Sequence, residues 1–322
     1  MIKALKFVRG AVSKKDYQPA LSHFLIKDGR VMGYDGTIAL SSPIGIDIHA
    51  TPKAVPFVKA IERCTDDSTA LNLTTTGRIS LKSGKFRATI ECTEESSILE
   101  SIQPEGNHVD LSSTLVSALR TLEPFIGVDA SRPWSSGILL HNFSAFATNN
   151  IILAESWIGS SLPHINLPGS AIKELTRIGE EPISIQLGET SVTFHFKGDR
   201  WLRSQLLNTE WPDIHSLLEK TFDASTMSPL PSDFFKAVET IAYAVEDDGK
   251  VYFRDNCMTT TFEGGVGATV EIQGLPAFGS YHHKMLMLLQ DRVKQIDFTK
   301  HPHPCPFVGD QLRGVFLGMR DD

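Results

Sequence analysis

The chain repeats itself about every 110–120 residues, and this repeat restricts its possible folds more than any single motif does. Thr51-Pro52 reads as a helix start, an N-cap residue followed by proline in the first turn. It leads into Val58-Lys59-Ala60-Ile61-Glu62-Arg63-Cys64. Later, Pro168-Gly169-Ser170 leads into Ile172-Lys173-Glu174-Leu175-Thr176-Arg177-Ile178. The two segments match in pattern everywhere except at Ala60 against Glu174. Val58, Ile61 and Cys64 form one apolar stripe, and Ile172, Leu175 and Ile178 form the other. Pro56 interrupts the first segment, so its regular part is expected to begin there.

Both helices carry cations at i and i+4: Lys59 with Arg63, and Lys173 with Arg177. Stacking like charges costs a few tenths of a kcal/mol. On one helix this pattern is ordinarily a solvated face. Its recurrence in both copies points to a row of cations aimed at a polyanion. A third helix is expected over Ser280–Ile296, with Leu286, Leu289, Val293 and Ile296 on its stripe and Lys284, Arg292 and Lys294 off it. Met285 and Met287 read as core filler.

Each of these helices follows a leading helix, expected over 2–13, 112–124 and 231–245, and a group of strands. Strands are expected at His23–Lys27 and Arg30–Tyr34, joined by the hairpin signal Asp28-Gly29. Others are expected at Gly137–His141, Ala145–Asn149 and Lys250–Arg254. A further strand group follows each second helix: Ile79–Lys82 with Phe86–Cys92, Val192–Phe196 with Trp201–Leu207, and Ile296–Thr299 with Gly314–Met319. Each repeat therefore reads helix–strands–helix–strands, an α+β unit with antiparallel sheets. Three similar domains are expected, over 1–108, 109–222 and 223–322.

Composition narrows the function. The 322 residues are 41% hydrophobic and 21% charged, which is ordinary for a globular chain. No stretch approaches the ~20 apolar residues of a membrane span, and the N-terminus does not read as a secretory signal. Four scattered cysteines, Cys64, Cys92, Cys257 and Cys305, form no CxxC pair, so a cytoplasmic setting without disulfides or structural metal is expected. The net charge of −7 argues against a simple nucleic-acid binder unless the basic residues are segregated on one face.

Several segments resemble one family in order and spacing. Trp201-Leu202-Arg203-Ser204-Gln205-Leu206-Leu207 followed by Glu210-Trp211-Pro212-Asp213 is similar to the end of the second domain of bacterial beta-type DNA sliding clamps. Ser131–Leu139 resembles that family's "R-x-x-L-N-G" strand, and Ala147–Ala154 its "A-T-D-G-H-R-L-A". Gly314–Arg320 resembles its "V-V-M-P-M-R" ending, and Ser83-Gly84-Lys85-Phe86-Arg87 the close of its first domain. Each motif is short; their joint order over nearly the whole chain carries the resemblance.

The resemblance implies three clamp domains per chain, with helices lining a central hole and sheets outside. Two chains would join head-to-tail in a homodimeric ring around double-stranded DNA. Such a protein is not an enzyme and uses no cofactor. DNA-facing residues would be Lys3, Lys6, Arg9, Lys59, Arg63, Arg120, Lys173, Arg177, Lys236, Lys284 and Lys294, with Lys14, Lys15 and Arg132 in loops. Peptides of a DNA polymerase and a clamp loader would enter an apolar pocket between the second and third domains. That pocket would include Thr148, Ile151, Leu153, Phe316, Leu317, Gly318 and Met319. Asn149-Asn150-Ile151-Ile152 replaces the family's Asp-Gly-His-Arg, which removes its polar rim, and Asp321-Asp322 would add acid there. These departures suggest a divergent version of bacterial or phage origin.

Two other classes compete. His301-Pro302-His303-Pro304-Cys305 could ligate a metal but lacks a second ligand pair. Gly264-Gly265-Val266-Gly267 lacks the lysine of a phosphate loop and reads as a hairpin turn, as does Asp247-Asp248 beside Gly249. No nucleophile–base set stands out. A β-rich structural or carbohydrate-binding protein would explain strands and acidity but not the repeated basic helices.

Overall fold

A computed structural model describes residues 1–13, 15, 18–64, 69–94, 97–111, 114–262 and 266–320. All pairing among the described strands is antiparallel, and helices fall between groups of strands along the chain, as in an α+β fold. No helix among the described residues is long and apolar enough to cross a membrane. The chain forms two compact units, one from residues 1–116 and 170–207, the other from 117–169 and 208–322.

The first unit is built on a seven-stranded sheet. Its order is Leu25–Lys27, Arg30–Tyr34, Ile38–Pro43, Arg200–Gln205, Ser191–Phe196, Ser184–Leu187 and Asn107–Asp110. Strands far apart in sequence meet at its centre, where Leu40 pairs with Leu202, both fully buried. Asp28 and Gly29 both have positive φ, the backbone that the two-residue hairpin between the first two strands demands. A three-stranded sheet, Ala70–Leu73, Ile79–Ser83 and Phe86–Ile90, completes this unit.

The leading helices have a common form. Each runs into a 3₁₀ turn: Ile2–Val8 into Arg9–Ala11, Leu115–Leu122 into Glu123–Phe125, and Phe234–Ile241 into Ala242–Ala244. Ile2–Val8 lies across Arg30–Tyr34 and Ile38–Pro43, burying Leu5, Phe7 and Val8. The first of the matched basic helices spans Ala54–Glu62, capped at Lys53 rather than Thr51. Pro52 is instead paired with Cys92 in an isolated bridge. Pro56 is tolerated in the first turn, where backbone N–H groups have no intrahelical partner.

The second matched helix, Gly169–Ile178, explains the one mismatch between the copies. Glu174 is only 6% exposed. Its carboxylate receives the Arg177 guanidinium, whose Nη2 also donates to the Phe7 carbonyl oxygen at 2.9 Å. A Cβ on Gly10 would stand 1.8 Å from Glu174 Oε1, so Gly10 leaves the space this carboxylate fills. The ion pair thus ties this helix to the N-terminal one.

The second unit holds a six-stranded sheet in the order Ser228–Pro229, Val293–Ile296, Cys305–Gly309, Leu312–Phe316, Ile152–Pro168 and Gly137–Thr148. It also holds a four-stranded sheet: Thr269–Glu271, Cys257–Thr259, Lys250–Arg254 and Phe278–His282. Phe234, Phe253, Tyr281, Phe298 and Phe316 form an aromatic core, with ring centroids 4.8–5.9 Å apart. Two expected strands are one, Gly137–Thr148, whose register shifts around Asn142, a residue with positive φ.

The expected long helix over Ser280–Ile296 does not form. Phe278–His282 is a strand paired with Lys250–Arg254, His283–Met287 a short helix, and Val293–Ile296 another strand. Asp291 adopts positive φ, which a continuous right-handed helix excludes. The helix-like spacing of Leu286, Leu289, Val293 and Ile296 is met differently, with two residues buried around the helical turn and two on a strand. The strand expected at Ile296–Thr299 keeps only Ile296, the end of Val293–Ile296, and the chain then passes into the 3₁₀ turn Phe298–Lys300. Gly249, with positive φ, turns the chain after Asp247-Asp248 as expected; Gly264 and Gly265 lie outside the described residues.

Removing either side of the Glu174 contact should unfold the chain more easily. Arg177→Ala or Gly10→Ala is expected to cost about 1–3 kcal/mol in urea unfolding, against under about 0.5 kcal/mol for Lys173→Ala.

Candidate functional site

Two surfaces could meet a partner. The first is a layer of adjacent helices in the first unit. Ile2–Val8 contacts Ala54–Glu62 on one side, where Lys6 Nζ lies 3.3 Å from Glu62, and accepts the Arg177 bond on the other. Lys3, Lys6, Arg9, Lys59, Arg63, Lys173 and Arg177 are all exposed, while Leu5, Val58, Ile61, Ile172 and Leu175 between them are buried. Only two carboxylates, Glu62 and Glu174, belong to these helices, and Glu174 is buried, so the outward face is strongly cationic in a chain of net charge −7. Arg177 is the exception in role, because its guanidinium is held by Glu174.

The remaining basic candidates are dispersed. Arg120 and Lys236 are exposed on the leading helices Leu115–Leu122 and Phe234–Ile241, and Lys284 is exposed on His283–Met287. Lys294 lies on a strand, paired with Asp310. Lys15 is exposed, and Lys14 lies outside the described residues.

The second surface is a cavity of about 250 Å³ wholly inside the second unit. Its first wall is the hairpin of Gly137–Thr148 and Ile152–Pro168. Asn149 Oδ1 accepts from the Ile151 and Ile152 amides, and Asn150 takes the positive φ that the tight turn needs. This turn presents Thr148, Ile151, Ile152 and Leu153 to the cavity.

Its second wall is the helix Ile214–Thr221, which brings Ile214 and the exposed Leu217. Asp213 caps this helix by accepting from Ser216 N and Oγ at 3.1 and 2.6 Å, and those bonds hold its carboxyl below the usual range. Arg313 fixes the helix to the sheet, donating to Glu155 at 2.6 Å and to Glu219 at 2.8 Å. Beneath lies a cluster of Leu139, Phe146, Leu153, Trp211, Ile214, Leu218 and Val315, on which Trp134 packs edge-on, 4.9 Å from the Trp211 ring.

Of the expected pocket residues, Thr148, Ile151, Leu153 and Leu317 line the cavity. Strand alternation sends Val315 and Leu317 towards it and Phe316 away, onto Tyr281 at 5.6 Å. Gly318 is packed against His301, and Met319 N donates to the Ser280 carbonyl at 2.7 Å. The rim is not stripped of polar groups: Arg132, expected at DNA, lies here and donates to Asn150 Oδ1 at 2.7 Å. The acidic Asp321-Asp322 lies outside the described residues. Residue-level reasoning overlooked Trp134, Pro212, Ile214, Leu217 and Pro304. Trp134 and Pro212 stood inside quoted motifs, whereas nothing in the local pattern around Pro304 signals a wall.

Among the described residues no three His, Cys, Asp or Glu side chains gather as a metal site. Cys305 is fully buried, and burial pushes its thiol up to about 11.

No protein-family model matches the chain, and no curated protein sequence matches it. Solved structures do. The DnaN sliding clamp (DNA polymerase III subunit beta) from Bartonella birtlesii, bound to griselimycin, is 18% identical with a TM-score of 0.80, covering 99% of this chain and 97% of that one. The DNA polymerase sliding clamp from Bacillus subtilis is 16% identical with a TM-score of 0.81, covering 100% and 97%. That from Caulobacter crescentus is 18% identical with a TM-score of 0.80, covering 99% and 97%. Likeness at this identity is likeness of fold, and it runs from end to end: the chain has the bacterial sliding-clamp fold.

Proposed function

We propose that this chain is a sliding clamp, a non-enzymatic processivity factor that encircles duplex DNA and tethers a replicative polymerase to it in the cytoplasm. The observation that carries this reading is the cationic layer formed by the helices bearing Lys3, Lys6, Arg9, Lys59, Arg63 and Lys173 in an otherwise acidic chain. A ring that slides must hold phosphates without reading bases, so its contacts are electrostatic and individually weak. The three sequence repeats, 1–108, 109–222 and 223–322, are its domains.

Ring closure needs a second copy. Two of the edge strands are Phe86–Ile90, with exposed Lys85 just before it and exposed Arg87 within it, and Thr269–Glu271, with exposed Glu271. Head-to-tail pairing of these edges between two chains would match opposite charges and remove both open edges. The cavity beside Trp134 would take an apolar anchor from a polymerase or clamp-loader peptide.

The topological test is direct. Protein assembled on nicked circular DNA is expected to survive a high-salt wash and to escape once the circle is linearised; equal loss from both forms overturns the reading. Replacing Lys59, Arg63 and Lys173 with glutamine should flatten the slope of log affinity against log salt by about 2–3, one phosphate contact per cation. Arg313→Ala should free the helix Ile214–Thr221 and weaken binding of a partner polymerase's peptide, read by fluorescence anisotropy, while leaving the DNA salt slope unchanged.

A further inference from the structure

The seven-stranded sheet of the first unit carries two histidines on the face turned away from the N-terminal helix. Phe196 packs edge-on against Phe7 of that helix, so strand alternation sends the adjacent His195 to the opposite face. The register sets His195 opposite Ser184, and His108 of the edge strand Asn107–Asp110 opposite Gln186. Both histidines therefore share one face, starting from strands on either side of Ser184–Leu187. Their rings meet across that strand, with centroids 5.1 Å apart.

Hydrogen bonding leaves each ring a nitrogen with a free lone pair. Gln186 Nε2 donates to the Gly106 carbonyl oxygen at 3.1 Å, and its Oε1 lies 3.2 Å from His195 Nε2. An amide oxygen only accepts, so His195 Nε2 carries the proton and Nδ1 keeps its lone pair. Burial, and then the neighbouring His108, hold the His195 imidazole below its usual pKa, which favours the neutral ring. His108 is exposed and has no hydrogen-bond partner among the described residues, so its ring can turn.

This spacing matches two ligands of one metal ion. With nitrogens about 2.1 Å from a shared ion, two imidazole ring centres stand about 5 Å apart. A carbonyl oxygen on the other ring nitrogen, as Gln186 provides, is the usual support of a metal-binding histidine. The other close histidine pairs differ. His282 and His283 are stacked 9° from parallel, so their in-plane lone pairs run side by side. His141 and His164 are 5.7 Å apart, and His141 Nε2 accepts from Asn142 Nδ2 at 3.1 Å. Imidazole suits copper, nickel and zinc ions, whereas magnesium and calcium take oxygen ligands.

We propose that His108 and His195 form a two-histidine site for a divalent first-row transition-metal ion, with Gln186 as the positioning residue that fixes the His195 tautomer. Among the described residues no third His, Cys, Asp or Glu joins them, so water would complete the coordination. A bound ion would clip the edge strand Asn107–Asp110 to Ser191–Phe196 across the strand between them, and so reinforce that end of the sheet.

The test titrates the full chain, free of added tags, with copper, nickel, zinc and magnesium chlorides by calorimetry. Copper should bind more tightly than nickel or zinc, and magnesium should not compete with nickel. His108→Asn and His195→Asn should each weaken nickel binding by about 100-fold, and Gln186→Leu by about ten-fold. His164→Asn, in the other unit, should leave it unchanged. Excess nickel should slow amide exchange within Asn107–Asp110 by at least about ten-fold, and have no such effect in His108→Asn, whose exposed position spares the fold. Nickel affinity that survives both histidine variants, or that magnesium competes away, would overturn the site. Exchange that nickel leaves unchanged would overturn the clip, and native affinity in Gln186→Leu would overturn the role of Gln186.

Discussion

Strand pairing between segments far apart in sequence is the constraint on which everything else here depends. Neither large sheet is built from one continuous stretch of chain. Ile38–Pro43 pairs with Arg200–Gln205, and Leu312–Phe316 pairs with Ile152–Pro168. Each pairing satisfies backbone groups that would otherwise sit at an exposed edge. It also places the helices: the N-terminal helix and Gly169–Ile178 come together in the first unit because the strands that carry them share a sheet. The pair of buried Glu174 with Arg177 and the space at Gly10 then lock that junction. The cationic layer follows from these contacts, since the apolar stripe of each helix is used up in packing and only its charged side is left facing out.

The cavity depends on the same principle in the second unit. Its walls come from a hairpin, a capped helix and a C-terminal strand that are far apart in sequence. Arg313 is the connection among them, reaching Glu155 on one strand and Glu219 on the helix. The cavity is therefore shaped by charge placed just outside an apolar floor.

Much of this architecture was legible in the sequence, and the failures have physical causes. Asp28-Gly29 marked its hairpin because few residues accept positive φ at two successive positions. The matched helices stood out because apolar and basic residues recur at helical spacing, and the full-length order of motifs pointed to the fold that the solved structures share. The stretch over Ser280–Ile296 misled because its apolar spacing suits a helix, whereas strand pairing with Lys250–Arg254 and the turn at Asp291 decide otherwise. The cavity was half legible. Leu153 and Leu317 lay in recognisable segments, but Phe316 was drawn in with its neighbours although a strand sends adjacent side chains to opposite faces. Pro304 and Leu217 reach the cavity only through tertiary packing, which local periodicity does not encode.

The shared sheets have a consequence for how the protein can be divided. A cut near residue 108 would strip Ile38–Pro43 of its partner Arg200–Gln205 and expose a hydrogen-bond-hungry strand. The first compact unit is itself discontinuous, with residues 117–169 intervening between its two parts. Fragments made by such a cut would be sticky pieces, not interchangeable building blocks. Although the sequence repeats, the chain must be engineered as one piece.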